Sequence, residues 1–171
     1  MKRPESYIDF TVYENSKELL GVAKAKLPDI KFLTQTISGA GVAGNVEAVL
    51  KGMVDAMILG LDFISPTDAA VSLSTPVKHK IDLRAAEQQW DTVGAQSLVA
   101  STKFVMVVIP KSFTIGSVAA ASAADASGEF AVYYYAAYKN GKQLWEIDPY
   151  NYICKINGVD YMKDVRTALG K

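Results

Sequence analysis

Hydrophobic and polar residues alternate along much of the chain, with the two-residue period of a strand that buries one face. The alternation is clearest in residues 77–90, VKHKIDLRAAEQQW. Its polar face carries Lys78, Lys80, Asp82 and Arg84, and its apolar face carries Val77, His79, Ile81 and Leu83. This segment is predicted to be a half-buried strand. Further strands are predicted over residues 6–13, 19–24, 30–37, 53–63, 103–109, 129–138, 143–148 and 152–156, with the first two paired as a hairpin.

Turn signals separate these strands. Asn140-Gly141 and Asn157-Gly158 are residue pairs preferred in two-residue turns, because both central positions need positive φ. Residues 94–102 are small and polar and are predicted to be a connection, and Pro110 is expected to end strand pairing because it lacks an N–H. Residues 117–128, SVAAASAADASG, are predicted to form a mobile loop between two strands.

Helical signals are short and few. Thr67 or Asp68 can cap a helix over residues 69–73, and residues 45–50 have the composition for one helical turn. Residues 160–169 have helical periodicity. The pattern predicts a mainly β protein of eight to ten strands with one or two short helices, arranged as a sandwich or small barrel.

Length, composition and charge narrow the class of protein. The 171 residues fit one domain, residues 1–171, with half of the residues hydrophobic. The 18 basic residues equal the 18 acidic residues, whereas a dedicated nucleic-acid binder carries a basic excess. The single cysteine allows no internal disulfide, which suits a reducing compartment. No apolar run is long enough for a membrane helix or a signal peptide, so we expect folding in a cytoplasm and no stable membrane association.

Candidate catalytic groups are isolated from one another. The one histidine, His79, lies on an apolar strand face, and Cys154 is predicted to be a buried small side chain. One cysteine and one histidine cannot form a zinc cage alone. Glu146 and Asp148 share a strand face but follow a hairpin without a cleft, so a structural role is favoured over acid–base chemistry. No catalytic, metal or cofactor site is predicted, and the protein is expected not to be an enzyme.

Two other motifs have ordinary structural interpretations. Residues 39–44, GAGVAG, have the form G-x-G-x-x-G, but no βαβ alternation surrounds them, so a flexible or tightly turned loop is favoured over a dinucleotide site. The run Tyr133–Tyr135 is a potential stacking platform for bases, yet the charge balance favours packing at an edge or interface.

Residues 140–160, NGKQLWEIDPYNYICKINGVD, resemble the C-terminal part of the major tail tube protein family of contractile-tailed phages and phage-tail-like bacteriocins. The matching residues are Gly141, Lys142, Leu144, Glu146, Ile147, Asp148, Asn151, Ile153, Lys155, Asn157, Gly158, Val159 and Asp160. Residues 21–28 and the glycines Gly39, Gly41 and Gly44, followed by Asp55-Ala56, resemble earlier parts of the family pattern. Residues 75–102 and 117–128 depart from it.

The resemblance implies a tail-tube-type β-sandwich or barrel, related to the type VI secretion tube protein, with a long extended loop. It implies that six subunits join their sheets into a ring barrel and that rings stack into a tube. The glycine loop, with Gly39, Gly41 and Gly44, would reach a neighbouring ring. The tube would lie inside a sheath in a virion tail or bacteriocin particle, assembled in the host cytoplasm, and would conduct DNA or puncture an envelope.

The implied partners are further copies of the chain, the tail sheath protein, the tape measure protein, baseplate and tail terminator proteins, and DNA bound transiently and non-specifically in the lumen. A second interpretation is a small-ligand-binding β-barrel carrier protein. That class needs a closed single-chain barrel with an apolar pocket. A carrier would stay monomeric, whereas a tube protein would polymerise.

Overall fold

A computed structural model describes residues 1–171 and contains twelve strands and two short helices. The strands are β1 (Lys2–Glu14), β2 (Lys17–Glu18), β3 (Val22–Lys26), β4 (Phe32–Gly39), β5 (Val42–Val54), β6 (Met57–Phe63), β7 (His79–Asp91), β8 (Gln96–Thr114), β9 (Ala126–Lys139), β10 (Lys142–Asp148), β11 (Ile153–Ile156) and β12 (Val159–Asp160). The helices are α1 (Asp68–Leu73) and α2 (Lys163–Ala168). The fold is mainly β, as the sequence predicts.

Ten strands form one antiparallel sheet, in which β9 has the central position. One edge of β9 pairs with β8 along most of its length. The other edge is shared, because β6 pairs with residues 126–132 and β10 pairs with residues 135–139. Beyond β8 the sheet continues through β7 and β1 to β2, and beyond β10 it continues through β11 to β12.

The sheet curls around one hydrophobic core. Val12 near one end of the sheet and Ile147 near the other belong to the same cluster of buried residues. Alternate residues of β6 and β7 point into this core, as their alternating burial shows. Helix α1 closes one end with Ala70 and Leu73, and Thr67 caps it by accepting a hydrogen bond from the Ala70 N–H at 3.2 Å.

A charged pair stands where the core-facing side of the sheet becomes exposed. Lys139 Nζ donates to Glu87 Oε2 at 2.6 Å, and Gln89 Nε2 donates to Glu87 Oε1 at 3.2 Å. The hydrogen bond from Lys139 lowers the pKa of the Glu87 carboxyl below its ordinary value. Beyond this pair, β1, β7 and β8 extend as a three-stranded ribbon with more exposed side chains.

Most predicted strands are confirmed, but several boundaries differ. Residues 45–50 are not helical, since they lie within β5, where pairing with β4 overrides their helical composition. Residues 94–102 are not simply a connection, because β8 begins at residue 96 and pairs with β7. Strand β8 also continues past Pro110, and the missing N–H is accommodated by a register shift between Pro110 and Ser112.

Two further segments differ in pairing or length. Residues 19–24 do not form a hairpin partner of β1, because β3 begins at residue 22 and pairs with β6. The predicted strand over residues 53–63 is divided at Asp55-Ala56 into β5 and β6. The C-terminal helix occupies only residues 163–168, after a turn that follows β12.

Replacing Leu59 tests the position of the core. Leu59 is fully buried on β6, whereas the adjacent Ile58 is 39% exposed on the opposite face. Leu59→Ala is expected to lower the free energy of unfolding by about 2–5 kcal/mol, because it leaves a cavity. Ile58→Ala is the matched control and should lower it far less. Urea denaturation followed by circular dichroism measures both, and equal losses would contradict the described burial.

Candidate functional site

The Asn140-Gly141 turn joins β9 to β10 and is fastened to β8. Both residues have positive φ, +48° for Asn140 and +81° for Gly141, as a two-residue hairpin of this sequence requires. The Asn140 N–H donates to the Ser101 carbonyl at 2.9 Å, and the Ser101 N–H donates to Asn140 Oδ1 at 3.0 Å. The turn therefore holds the sheet together at this point, and Lys142 beside it is exposed.

Strand β10 divides its motif residues between two faces. Ile147 is fully buried in the core, and Leu144 packs against that core. Glu146 is on the opposite face and accepts a hydrogen bond from Gln143 Nε2 at 2.8 Å. Asp148 accepts hydrogen bonds from the N–H and side-chain amide of Asn151 at 3.2 Å and 2.6 Å. Both carboxylates therefore have local amide partners.

The second turn leads into an ion pair that fastens the C-terminal segment. Asn157 and Gly158 have φ of +50° and +83°, and the Asn157 N–H donates to the Leu144 carbonyl at 2.7 Å. Asp160 accepts hydrogen bonds from the Arg166 guanidinium and, at 3.0 Å, from the Met162 N–H. The Arg166 guanidinium beside Asp160 holds the pKa of that carboxyl below its ordinary value.

Arg166 also joins α2 to the chain before β11. Its Nη1 donates to the Tyr152 carbonyl at 2.6 Å, where Tyr152 has a positive φ of +52°. We call the contacts among Asp160, Met162, Arg166 and Tyr152 the C-terminal clamp. The sequence pattern points to Asp160 but not to Arg166, because the two residues lie across a turn and not at a regular helical spacing.

Strands β4 and β5 form a separate two-stranded sheet, which we call the arm. Gly39, Gly41 and Gly44 lie at its tip, all with positive φ. The tip is a two-residue turn, Ala40-Gly41, between strands paired at Gly39 and Val42. The expected long loop is therefore mostly an ordered hairpin, because residues 32–39 pair with a second strand that contains Gly44.

The two faces of the arm differ in polarity. Directly paired Ile37 and Val46 share one face and are 47% and 52% exposed. Paired Thr36 and Glu47 share the other face, where Thr34 Oγ1 donates to Glu47 Oε1 at 2.8 Å. The part of the arm nearest its tip thus has one apolar face and one polar face, whereas nearer the base the exposed Val49 lies on the same face as Glu47. The first strand is predicted from the sequence, but the second is obscured by the helix-forming composition of residues 45–50.

The outward face of the main sheet carries a group of cations with one carboxylate among them. Asp82 Oδ2 lies 3.3 Å from both Arg84 Nη2 and Lys103 Nζ. The Arg84 guanidinium lies over the Tyr13 ring, 4.9 Å from its centre. Lys80 is exposed on the same face, as predicted, whereas Lys78 precedes β7. The carboxylate of Asp82 offsets two neighbouring cations, which reduces the positive potential of this surface.

A family model described as phage tail tube protein FII matches residues 4–170. The chain belongs to the phage tail tube protein FII family. The resemblance found in residues 140–160 is thereby confirmed. No curated protein is detectably similar to the chain.

Two solved structures align with the chain, and the first of them shares its fold. One is the sheath/tube terminator of an extracellular contractile injection system, PVC, in the extended state, solved by cryo-EM. The alignment has 15% identity and a TM-score of 0.52, and it covers 77% of this chain and 94% of the other. The sheath-tube complex of the same system aligns with 17% identity and a TM-score of 0.45, covering 72% and 82%.

The single histidine and the single cysteine of the chain are both buried. The buried His79 ring contacts the Glu14 carboxylate through Nδ1, and its Nε2 lies 2.9 Å from the Thr75 carbonyl. Cys154 is fully buried, and burial raises the pKa of its thiol, which disfavours the nucleophilic thiolate. No three histidine, cysteine or carboxylate side chains are grouped to hold a metal ion. Neither helix is long and apolar enough to span a membrane.

The aromatic run of β9 is also divided among different surroundings. Tyr135 is buried, and its ring meets that of Trp145 edge-on at 5.4 Å. Tyr133 stacks on Tyr150 at 5.9 Å, outside the core. Burial raises the pKa of Tyr134 to about 12. These rings therefore do not form one continuous stacking platform.

The C-terminal clamp is expected to make stability depend on acid pH. Because the folded-state pKa of Asp160 is lowered, its contribution is present above the unfolded-state pKa and is lost as pH falls through the folded-state value. Asp160→Asn is expected to reduce the free energy of unfolding by about 1–2 kcal/mol at neutral pH. The difference between parent and variant should shrink below about pH 4.

Urea denaturation at a series of pH values measures this difference. Asp62→Asn is the control, since Asp62 is exposed and has no hydrogen-bond or ion-pair partner. A difference for Asp160→Asn that stays constant down to strongly acid pH would contradict the ionised clamp.

Proposed function

We propose that the chain is the structural subunit of the inner tube of a contractile phage tail or phage-tail-like particle, in which hexameric rings stack into a hollow conduit. Membership of the tail tube family supports this proposal. The strongest structural support comes from the arm. Its face around Ile37 and Val46 is apolar and is not covered by any other part of the chain. In a tube, a neighbouring copy of the chain would always be present to cover this face.

The physical argument starts from the low intrinsic stability of the arm. An isolated two-stranded hairpin is marginally stable in water, and the apolar face of this one is exposed. Covering Ile37 and Val46 with a neighbouring subunit would remove apolar surface from water and stabilise the arm. In this proposal Gly39, Gly41 and Gly44 form the tip that enters the next ring.

Ring closure is proposed to use the edges of the main sheet. Strand β1 pairs with β7 on one side, while its other edge is free except near Tyr13 and Glu14. Pro4 and the register shifts beside Glu5 and Ile8 interrupt the regularity of this edge, a feature that limits uncontrolled strand addition. Joining six such sheets edge to edge would close them into one barrel.

The partial neutralisation of charge on the outward sheet face is compatible with a conduit. A strongly basic channel would bind phosphates, whereas Asp82 here neutralises part of the charge of Arg84 and Lys103. Transient, non-specific contact with DNA is compatible with such a surface. The sheath protein would cover the tube, the tape measure protein would occupy its lumen, and terminator and baseplate proteins would bind its ends. Assembly in the host cytoplasm belongs to the same proposal.

The carrier-protein interpretation is less well supported. Phe63, Phe130 and Tyr135 are buried inside the curled sheet and fill the space where a carrier would hold its ligand. An apolar groove of about 420 Å³ lies instead beside the arm and α2. The geometry therefore favours assembly over ligand transport, and a structural, non-enzymatic role over catalysis.

Polar substitutions on the apolar face of the arm test the proposal. Ile37→Asn combined with Val46→Asn should weaken the contact between each arm and the neighbouring subunit by about 3 kcal/mol, because less apolar surface is buried. This loss corresponds to a roughly hundredfold higher critical concentration for tube formation. Thr36→Asn combined with Ser38→Asn places the same side chains on the polar face and is the control. Sedimentation and negative-stain microscopy measure assembly, and normal tubes from the first variant would contradict the role of this face.

A shortened arm separates ring formation from stacking. Residues 37–46 are removed, and Thr36 is joined to its partner Glu47 through an Asn-Gly turn, which preserves their pairing. We expect an unchanged circular dichroism spectrum, rings in the microscope and no long tubes. Tubes of ordinary length would show that the arm, including Gly39, Gly41 and Gly44, is not required between rings.

A further inference from the structure

We infer that Met162, seated against Gly52, is a positioning residue that sets the direction of the arm relative to the main sheet. The C-terminal clamp lies outside the arm, but by holding Met162 in place it would then affect assembly through the direction of the arm. The consequence for assembly rests on the proposed function, whereas the positioning itself concerns the isolated chain.

The arm has few connections to the rest of the molecule. No strand of the main sheet pairs with β4 or β5. The chain enters the arm after Lys31 and leaves it at Asp55, and the Asp55 N–H donates to the Lys31 carbonyl at 2.7 Å. These two adjacent crossings alone would leave the arm free to pivot, so side-chain contacts must determine its direction.

Gly52 forms a notch at the base of the arm. Phe32 pairs with Val54 and Thr34 pairs with Val49, so β5 uses more residues than β4 over this interval. Gly52 lies in the resulting irregularity with φ +72°. A Cβ at this position would lie 2.7 Å from Met162 Cγ and nearer still to its Sδ. The Met162 thioether therefore occupies the space that a side chain at position 52 would need.

Met162 is itself firmly held on the body side. It is only 5% exposed, and its N–H donates to the Asp160 carboxylate of the C-terminal clamp. Cys154 lies at the same notch, because its Cβ is 3.6 Å from the point that a Cβ at position 52 would occupy. Neither Met162 nor Cys154 belongs to the main core cluster, although both are buried. Both residues therefore pack in a separate region, where Gly52 of the arm base is one of their neighbours.

A second contact lies on the exposed side of the same junction. Lys51 Nζ is 3.0 Å from Asp164 Oδ2, and both side chains are largely exposed. Exposed pairs of this kind contribute little to stability. The buried contact of Met162 with Gly52, together with the packing of Val54 against the main core, is therefore better able to restrict the arm than the exposed ion pair.

Distance measurements between two spin labels test the inference directly. Thr36→Cys labels the arm and Lys80→Cys labels the main sheet. Because Cys154 lies at the notch that the variants alter, Cys154→Ala is included in every sample so that only two positions are labelled. The measurement uses the full chain at a concentration below assembly. The parent should give one narrow distribution of distances between the two labels. Gly52→Ala and Met162→Ala should each give a broad distribution instead.

Three further variants separate positioning from general damage. Gly41→Ala imposes a comparable left-handed φ at a residue with nothing within 4 Å, and it should keep the narrow distance. Met162→Leu retains an apolar side chain of similar volume and should also keep it. The Gly52→Ala, Met162→Ala double variant should be no broader than Met162→Ala alone, because both changes remove the same contact.

The outcomes distinguish this inference from the proposed function. A narrow distance in both Gly52→Ala and Met162→Ala overturns the positioning role, whether or not tubes form. Broad distributions in these two, with tubes assembling normally, support positioning and overturn the proposed role of the arm in stacking. Broadening in Gly41→Ala as well would attribute the effect to backbone strain and overturn the inference.

Discussion

Hydrogen bonds along both edges of β9 hold the main sheet together. One edge supports β8 and, through it, β7 and β1, while the other supports β6 and β10 at different heights. Because β9 has partners of different length on its two sides, the sheet branches and can curl around a single core. The Asn140-Gly141 turn matters for this reason: it ends β9, begins β10 and also binds Ser101 of β8.

The arm is not part of this sheet, and a different interaction determines its position. Its strands pair only with each other, so its tertiary position depends on packing at its base and not on a continued ladder. In our inference the C-terminal clamp supplies that base through Met162, which lies against Gly52. The family-like motif in residues 140–160 therefore serves two purposes, completing the sheet and fastening the segment against which the arm rests.

Strands can be predicted from the sequence where apolar and polar residues alternate in step with the buried and exposed positions of the structure. Residues 79–84 alternate strictly and begin β7, and Asn-Gly pairs mark the turns because their positive φ is a local requirement. Prediction is wrong for residues 45–50, where helix-forming side chains are held in β5 by pairing with β4. It also misses Arg166 and Gly52, because their roles come from contacts between segments that are distant or irregularly spaced.

Geometry at the base of the arm is magnified at its tip. The eight residues of β4 are separated by steps of about 3.3 Å, which gives a length of roughly 23 Å from Phe32 to Gly39. A rotation of about 10° at the base would displace the tip by about 4 Å, a little less than the spacing between neighbouring strands. An arm of this length can bring its tip to a defined place on another molecule only if its base is rigid. In the proposed tube, the contact of Met162 with Gly52 would therefore affect how each subunit is aligned with the next.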